Sequence, residues 1–342
     1  MTVIRNGHPR RARLAALGAY APERVVTNAE LERTVDTTDE WIVSRTGIRE
    51  RRIAAPEQAA SDLAVAAAER ILEAGAVAPS SLDVVIVPTC TPDYLFPSTA
   101  ALVAERLGAR GAAAYDLSAA CSGFVYGLAQ AVGLVEAAIA RTVLVVGSEV
   151  LSRITDPGDR ATCVLFADGA GGALVTAGDP GEITGFLAFD LGADGSGWDQ
   201  LIIPAGGGRR PVTAAPEPHE GYIQMNGPEV FRFATRIIVE SAERLLQSLE
   251  MSPDEVDLLV AHQANSRIIE HAAKRLGIPE ERIFNNLERY GNTSSASIPL
   301  ALAEARDEGR LRPGDLLLLV GFGAGLTWAS TIVRYEPLGA AA

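Results

Sequence analysis

Three polar side chains stand where chemistry could be done: Cys121, His262 and Asn292. Cys121 lies in AAAYDLSAACSGFVYGLAQAVGLVEAA, where a strand-like run enters a small-residue turn and an apolar helix follows. That puts the thiol at a strand-to-helix elbow, close to a helix N-terminus, where the dipole and unpaired N–H groups favour a thiolate. Most lone cysteines are inert packed side chains, but Ser118, Ala119, Ala120, Ser122 and Gly123 leave space around this sulfur. Cys90 and Cys163 sit in apolar strand-like runs and read as packed. His262, in LLVAHQAN, follows a buried strand, the place where ligands meet open α/β sheets. His8 and His219 fall in polar, Pro-containing segments, and His271 on a helix surface. Asn292, in RYGNTSSASIP, has the common alternative of a turn or cap role. GFGAG (321–325) reads as a glycine-rich turn whose N–H groups could approach a substrate oxygen.

Cys, His and Asn allow nucleophilic acyl chemistry. The 141 residues from Cys121 to His262 also suit a papain-like protease. The CGSCW context of those proteases is absent, and Cys121 lies deep in a repeated α/β chain, so that reading is rejected. No two pairs of Cys, His, Asp or Glu stand at zinc spacing, so no metal is expected.

The elements that must position these residues alternate between strand and helix. Residues 82–90, 141–149 and 315–323 are apolar strands, and 61–75 is a helix with Ser61 as N-cap and Gly75 near its end. Residues 230–249 form an amphipathic helix, and 14–26 read as the first strand rather than a secretion signal. This alternation predicts an α/β fold with parallel sheets covered on both faces. The chain also repeats itself at an offset of 174 residues: Asp83 matches Asp257, Cys121 matches Ser295 and Gly147 matches Gly321. Two halves follow, 1–178 with the cysteine and 179–342 with His and Asn. Between their motifs, 204–220 is rich in Gly and Pro and reads as a lid or mobile loop.

With 342 residues, 48% hydrophobic and 21% charged, the composition is that of a globular protein. The longest apolar stretch, 316–326, is too short to span a bilayer. A net charge of −13 argues against nucleic acid. Three cysteines form no disulfide framework, and a cytoplasmic location is expected. Lys274 is the only lysine, as a GC-rich genome would produce.

The motifs DTTDEWIVSRTGIRERRI, CSGF, HQAN, YGNTSSASIPLAL and GFGAGLTWAS, in this order, closely resemble the β-ketoacyl-acyl-carrier-protein synthase III family. The resemblance runs from about residue 14 to 335 and implies a thiolase fold, two α/β halves in five αβαβα layers. It implies a decarboxylating condensation of acyl-CoA with malonyl-acyl-carrier protein that starts type II fatty acid synthesis. Cys121 would be the nucleophile, His262 and Asn292 would bind the malonyl thioester, and the N–H groups of Cys121 and Ala324 would form the oxyanion hole. Many members carry Gly where Ala324 stands. Trp41 and Arg160 match an adenine sandwich, Arg45 a phosphate contact, and Gly227, Phe231, Ala264 and Asn265 a pantetheine wall. Arg232, Arg267, Lys274 and Arg275 match positions for docking the acidic carrier protein. Phe96 matches a residue that closes the acyl pocket of a partner subunit, so a homodimer is implied. No cofactor is implied, since acyl-CoA is a substrate. Two alternatives stay open: a starter-unit ketosynthase or acyltransferase of polyketide metabolism, and a non-catalytic acyl-CoA or carrier-protein binding protein.

Overall fold

The computed structural model describes residues 3–5, 11–178, 185–214 and 216–339. His8 and the boundary residue 179 lie outside the described residues. Strands are β1 (Val3–Arg5), β2 (Ala12–Tyr20), β3 (Arg24–Thr27), β4 (Glu50–Ile53), β5 (Val84–Pro88), β6 (Ala113–Leu117), β7 (Thr142–Val150), β8 (Asp168–Ala177), β9 (Phe186–Ala193), β10 (Leu201–Ile202), β11 (Gln224–Met225), β12 (Leu258–Ala261), β13 (Leu316–Gly323) and β14 (Thr327–Arg334). Helices are α1 (Asn28–Leu31), α2 (Asp39–Thr46), α3 (Ala60–Ala74), α4 (Thr99–Leu107), α5 (Gly123–Glu136), α6 (Arg160–Cys163), α7 (Gly227–Leu249), α8 (Ser266–Leu276), α9 (Leu287–Tyr290) and α10 (Ser297–Asp307).

Two five-stranded sheets form, ordered β2-β8-β7-β5-β6 and β1-β9-β14-β13-β12. Buried α5 and α10 lie between them, packing Phe124, Leu128, Ile298 and Leu302 with residues of both sheets. Helices α3 and α4 cover the outer face of the first sheet, and α7 and α8 that of the second. These are five layers, αβαβα. The 174-residue offset carries β2 onto β9, β5 onto β12 and β7 onto β13. The counterpart of β6 shrinks to one parallel bridge, Leu259 to Ile283.

The sheets are mixed, which corrects the expectation of parallel ones. Strand β5 runs parallel to β6 and β7, and β12 to β13, but β8, β2, β14 and β9 join antiparallel. Only three residues, 324–326, link β13 to β14, and so short a link must fold the chain back rather than cross the sheet. The first strand is β1, which joins β9 in the second half's sheet. Helix α3 starts one residue before Ser61, which is not its N-cap. Asp62 accepts from Ala59 N–H at 2.7 Å, and the Ser61 hydroxyl is drawn to Asp93, also 2.7 Å. The 204–220 loop is anchored: Ala205 N–H donates to Glu220 O at 2.9 Å, and Arg210 pairs with Glu220.

Candidate functional site

Cys121 sits in the single turn between β6 and α5, just after Ala120, whose φ of +47° is left-handed. The end of β13 seats this elbow. A Cβ on Gly323 would lie 2.7 Å from Cys121 N, and one on Gly321 would lie 2.9 Å from Ser122 Cα. The GFGAG glycines are therefore needed first for close approach; Gly321 and Gly323 belong to β13 itself, and the turn is 324–326. Ser122 completes the seat with a 2.9 Å hydrogen bond to Thr327 Oγ1 on β14.

The free thiol is not the predicted thiolate. Burial pushes Cys121 up to about 12, against the lowering effect of a hydrogen bond with Ser294. Helix α5 begins only at Gly123, two residues beyond Cys121, and desolvation is the largest influence on the thiol.

His262 follows β12 and is buried. Its Nδ1 lies 2.7 Å from Ser297 Oγ, which accepts from Gln263 N–H at 3.3 Å. When Ser297 donates its proton to Nδ1, His262 carries its own proton on Nε2 and is a donor there. Phe322 meets the imidazole edge-on at 5.2 Å, and burial lowers His262 to about 3, so the ring is neutral. Asn292 is buried too; its Oδ1 accepts from Ser294 N–H at 2.9 Å, which turns Nδ2 outward as the donor. Ser294 thus touches both Asn292 and Cys121.

A cavity of about 400 Å³ opens beside the thiol. Cys121 and Ala324 line it, with Leu151, Ile154, Phe166 and Ile223 making an apolar wall. His262 and Asn292 do not line this cavity; Asn292 is bridged to Phe166, one of its wall residues. Cys90 does line it. It lies two residues beyond β5, only partly buried, and not inside a strand as its apolar surroundings suggested. Cys163 likewise ends helix α6 rather than lying in a strand.

Trp41, Arg45 and Arg160 converge from α2 and α6. The Arg160 guanidinium lies 4.9 Å and that of Arg45 5.9 Å from the Trp41 ring centre. Asn265 caps α8 through Arg267 N–H and donates to Arg45 O at 2.9 Å. Gly47 has a φ of +85°, and its missing Cβ makes room for Ser266. Ala264 follows His262 in the same turn, Gly227 opens α7, and Phe231 lies under Arg267 at 5.5 Å.

Arg232 is exposed and paired with Glu229, while Lys274 and Arg275 occupy the last turn of α8. Lys274 borders a groove of about 1020 Å³ whose charges are mixed, with Glu270, Glu280, Glu281, Arg289 and Arg310. That groove shares no residue with the Cys121 cavity. Phe96 is 86% exposed, beside exposed Tyr94 and Leu95, and does not line the cavity of its own chain.

Sequence reasoning missed Ser294, Ser297, Cys90 and Glu149. Their only signals were the serine run after Asn292 and a glutamate in an otherwise apolar strand.

Repeated halves around two buried helices, with a cysteine elbow of one half seated on a strand of the other, define a thiolase-fold acyltransferase. Family models described as 3-oxoacyl-[acyl-carrier-protein] synthase III match residues 115–195, and its C-terminal part residues 246–335. The β-ketoacyl-[acyl-carrier-protein] synthase III of Desulfitobacterium hafniense is 50% identical over 329 residues, 95% of this chain and 98% of that protein. The chain belongs to the β-ketoacyl-acyl-carrier-protein synthase III family. It is similar to the solved synthase III of Thermus thermophilus, with 52% identity, a TM-score of 0.88, and 95% and 99% of the two chains covered. It is also similar to the priming β-ketosynthase of the R1128 polyketide pathway, at 37% identity and a TM-score of 0.90, over 97% and 98% of the chains.

Proposed function

We propose that this protein condenses an acyl-CoA primer with malonyl-acyl-carrier protein, giving 3-oxoacyl-carrier protein, CO2 and CoA, and so initiates type II fatty acid synthesis. The observation that carries the reading is the crosswise elbow: the Cys121 thiol meets Ser294, which also holds the Asn292 amide. Cys121 Sγ attacks the acyl-CoA carbonyl, the bond to the CoA sulfur breaks, and the thiol proton leaves with CoA. The N–H groups of Cys121 and Ala324 serve the oxyanion. Malonyl thioester then enters. Its bond to the carboxylate breaks, CO2 leaves, and the electron pair forms an enolate held by His262 Nε2–H and Asn292 Nδ2–H. A neutral His262, far below its ordinary range, suits this donor role. The enolate carbon attacks the acyl carbonyl, the bond to Cys121 breaks, and the thiolate takes a proton from solvent. No cofactor enters this reaction.

The halves 1–178 and 179–342 then work as one unit, since the first supplies Cys121 and the second His262, Asn292 and Ala324. Trp41, Arg45 and Arg160 hold the CoA nucleotide, with Arg160 swinging off Trp41 to admit the adenine. Gly227, Phe231, Ala264 and Asn265 flank pantetheine. Arg232, Arg267, Lys274 and Arg275 dock the carrier protein. Exposed Phe96 closes the pocket of a second copy in a homodimer. Among the described residues no helix is long and apolar enough to cross a membrane, which is compatible with a cytoplasmic enzyme. The R1128 likeness keeps polyketide priming as a second reading.

Incubation with acyl-CoA and malonyl-carrier protein, read by mass spectrometry, should yield 3-oxoacyl product. Folded protein that makes none with any short acyl-CoA refutes the reading.

A further inference from the structure

The duplication places a second elbow opposite the first. Ser295 stands where Cys121 stands in the repeat, and Ser294 shares the left-handed backbone of Ala120, with φ values of +49° and +47°. This elbow is seated on β7 as the first is on β13: a Cβ on Gly147 would lie 2.5 Å from Ser295 O. The two seats differ in the strand position that faces the elbow. Gly323, which makes room for Cys121, has Glu149 as its counterpart.

Glu149 is fully buried. Its Oε2 accepts from Cys90 N–H at 2.9 Å, the Thr91 hydroxyl at 3.1 Å and the Thr89 hydroxyl at 3.4 Å. Its Oε1 lies 2.7 Å from Ser295 Oγ and 3.4 Å from Ser295 N. Ser295 Oγ also lies 2.9 Å from the Pro88 carbonyl oxygen, which can only accept. One serine proton cannot serve both oxygens. Both are satisfied when Ser295 donates to Pro88 and Glu149 carries a proton on Oε1 that it donates to Ser295. Among the described residues no cation touches the carboxyl, and the titratable groups coupled to it are the thiols of Cys90 and Cys121. A buried anion without a counter-charge is strongly disfavoured.

We propose that Glu149 is a positioning residue: as an un-ionised acid it clamps the Asn292 turn of one half to the Cys90 loop of the other. Burial raises its pKa, in the same direction. The clamp acts on Asn292 through the chain, since Ser294, bonded to Asn292 Oδ1, is the neighbour of Ser295. The Cys121 seat, made by Gly321, Gly323 and the Ser122–Thr327 bond, does not use it. Ser294 also reaches the Cys121 thiol, but the backbone seat of Cys121 stands without the clamp, so the clamp bears on condensation more than on acyl loading, and this rests on the function proposed above.

Three variants test it: Glu149→Gln, Glu149→Ala and Ser295→Ala. Gln reproduces the neutral acid, with its NH2 toward Ser295 and its oxygen toward Cys90, and should stay within about threefold of wild type in both half-reactions. Glu149→Ala should lower condensation by the pre-acylated enzyme about 100-fold in kcat, with KM for malonyl-carrier protein nearly unchanged. Loading of Cys121 from acyl-CoA should change less than about fivefold. Ser295→Ala should show the same selective loss, and it decides the matter if Glu149→Ala does not fold. Gln as harmful as Ala, a harmless Ala, or equal losses in both half-reactions overturns the clamp. Wild-type protein that loads but never condenses would overturn the proposed function instead.

Discussion

Substitution of Gly323 by Ala tests how Cys121, the proposed nucleophile, is seated. The added Cβ would stand 2.7 Å from Cys121 N, 3.0 Å from Cys121 Cβ and 3.3 Å from Ala120 Cβ. The nearest of these is backbone, so no flexible side-chain end can swing aside. To reach ordinary contact at 3.4 Å, the elbow must retreat by about 0.7 Å. Overpacking of this kind costs ~1–3 kcal/mol of stability. A shift near 1 Å in a reacting group costs about 100-fold in rate. Thermal unfolding and single-turnover acylation of Cys121, followed by mass spectrometry, separate the two effects. Acylation should fall about 10- to 100-fold in protein that still melts cooperatively. Gly133→Ala is the control. It lies on the exposed side of α5 with nothing within 4 Å of its Cβ, and should stabilise by ~0.5–1 kcal/mol without changing acylation. Gly323→Ala that loads at the wild-type rate refutes the seating argument.

Ser297→Ala removes the group that sets the His262 tautomer; condensation should drop about tenfold with acyl loading nearly unchanged, and equal losses would contradict it. Trp41→Ala removes the surface on which Arg45 and Arg160 rest. It should raise KM for acyl-CoA several-fold with little change in kcat, as steady-state kinetics would show. Reversing charge at Arg267 and Lys274 should weaken use of malonyl-carrier protein while loading from acyl-CoA holds; loss in both steps would refute docking there. His262 also sets an acid limit. Its folded pKa of about 3 lies below the ordinary 6.5, so the unfolded chain binds the extra proton between these values. Stability therefore falls as pH drops from about 6.5 toward 3, by up to ~4–5 kcal/mol. Urea unfolding at neutral pH and near pH 4.5 should show a drop of ~2–3 kcal/mol that shrinks in His262→Gln.

The order of residue types along the chain already carries the duplication, because each half repeats one buried strand, one elbow and one inner helix at a constant step. It also carries Cys121, His262 and Asn292, whose local segments are short and distinctive. The periodicity of residues 230–249 likewise announced α7, though not its start at Gly227, where Pro228 suits the first turn. Strand direction was not legible, since a buried strand has the same apolar composition whether its neighbour runs with it or against it. Nor was the state of the thiol. A helix start is visible locally, whereas the burial that drives Cys121 up to about 12 comes from packing the second half onto the first. Glu149 looked like an isolated charge in a strand, and Cys90 like strand packing. Tertiary structure alone brings Glu149 to Ser295, 146 residues away, and places Cys90 in the wall of the Cys121 cavity. Sequence by itself determines which chemistry the chain can offer. Which groups share a proton or a cavity is decided by the crossing of the halves, because such contacts depend on ångström distances that no spacing along the chain encodes.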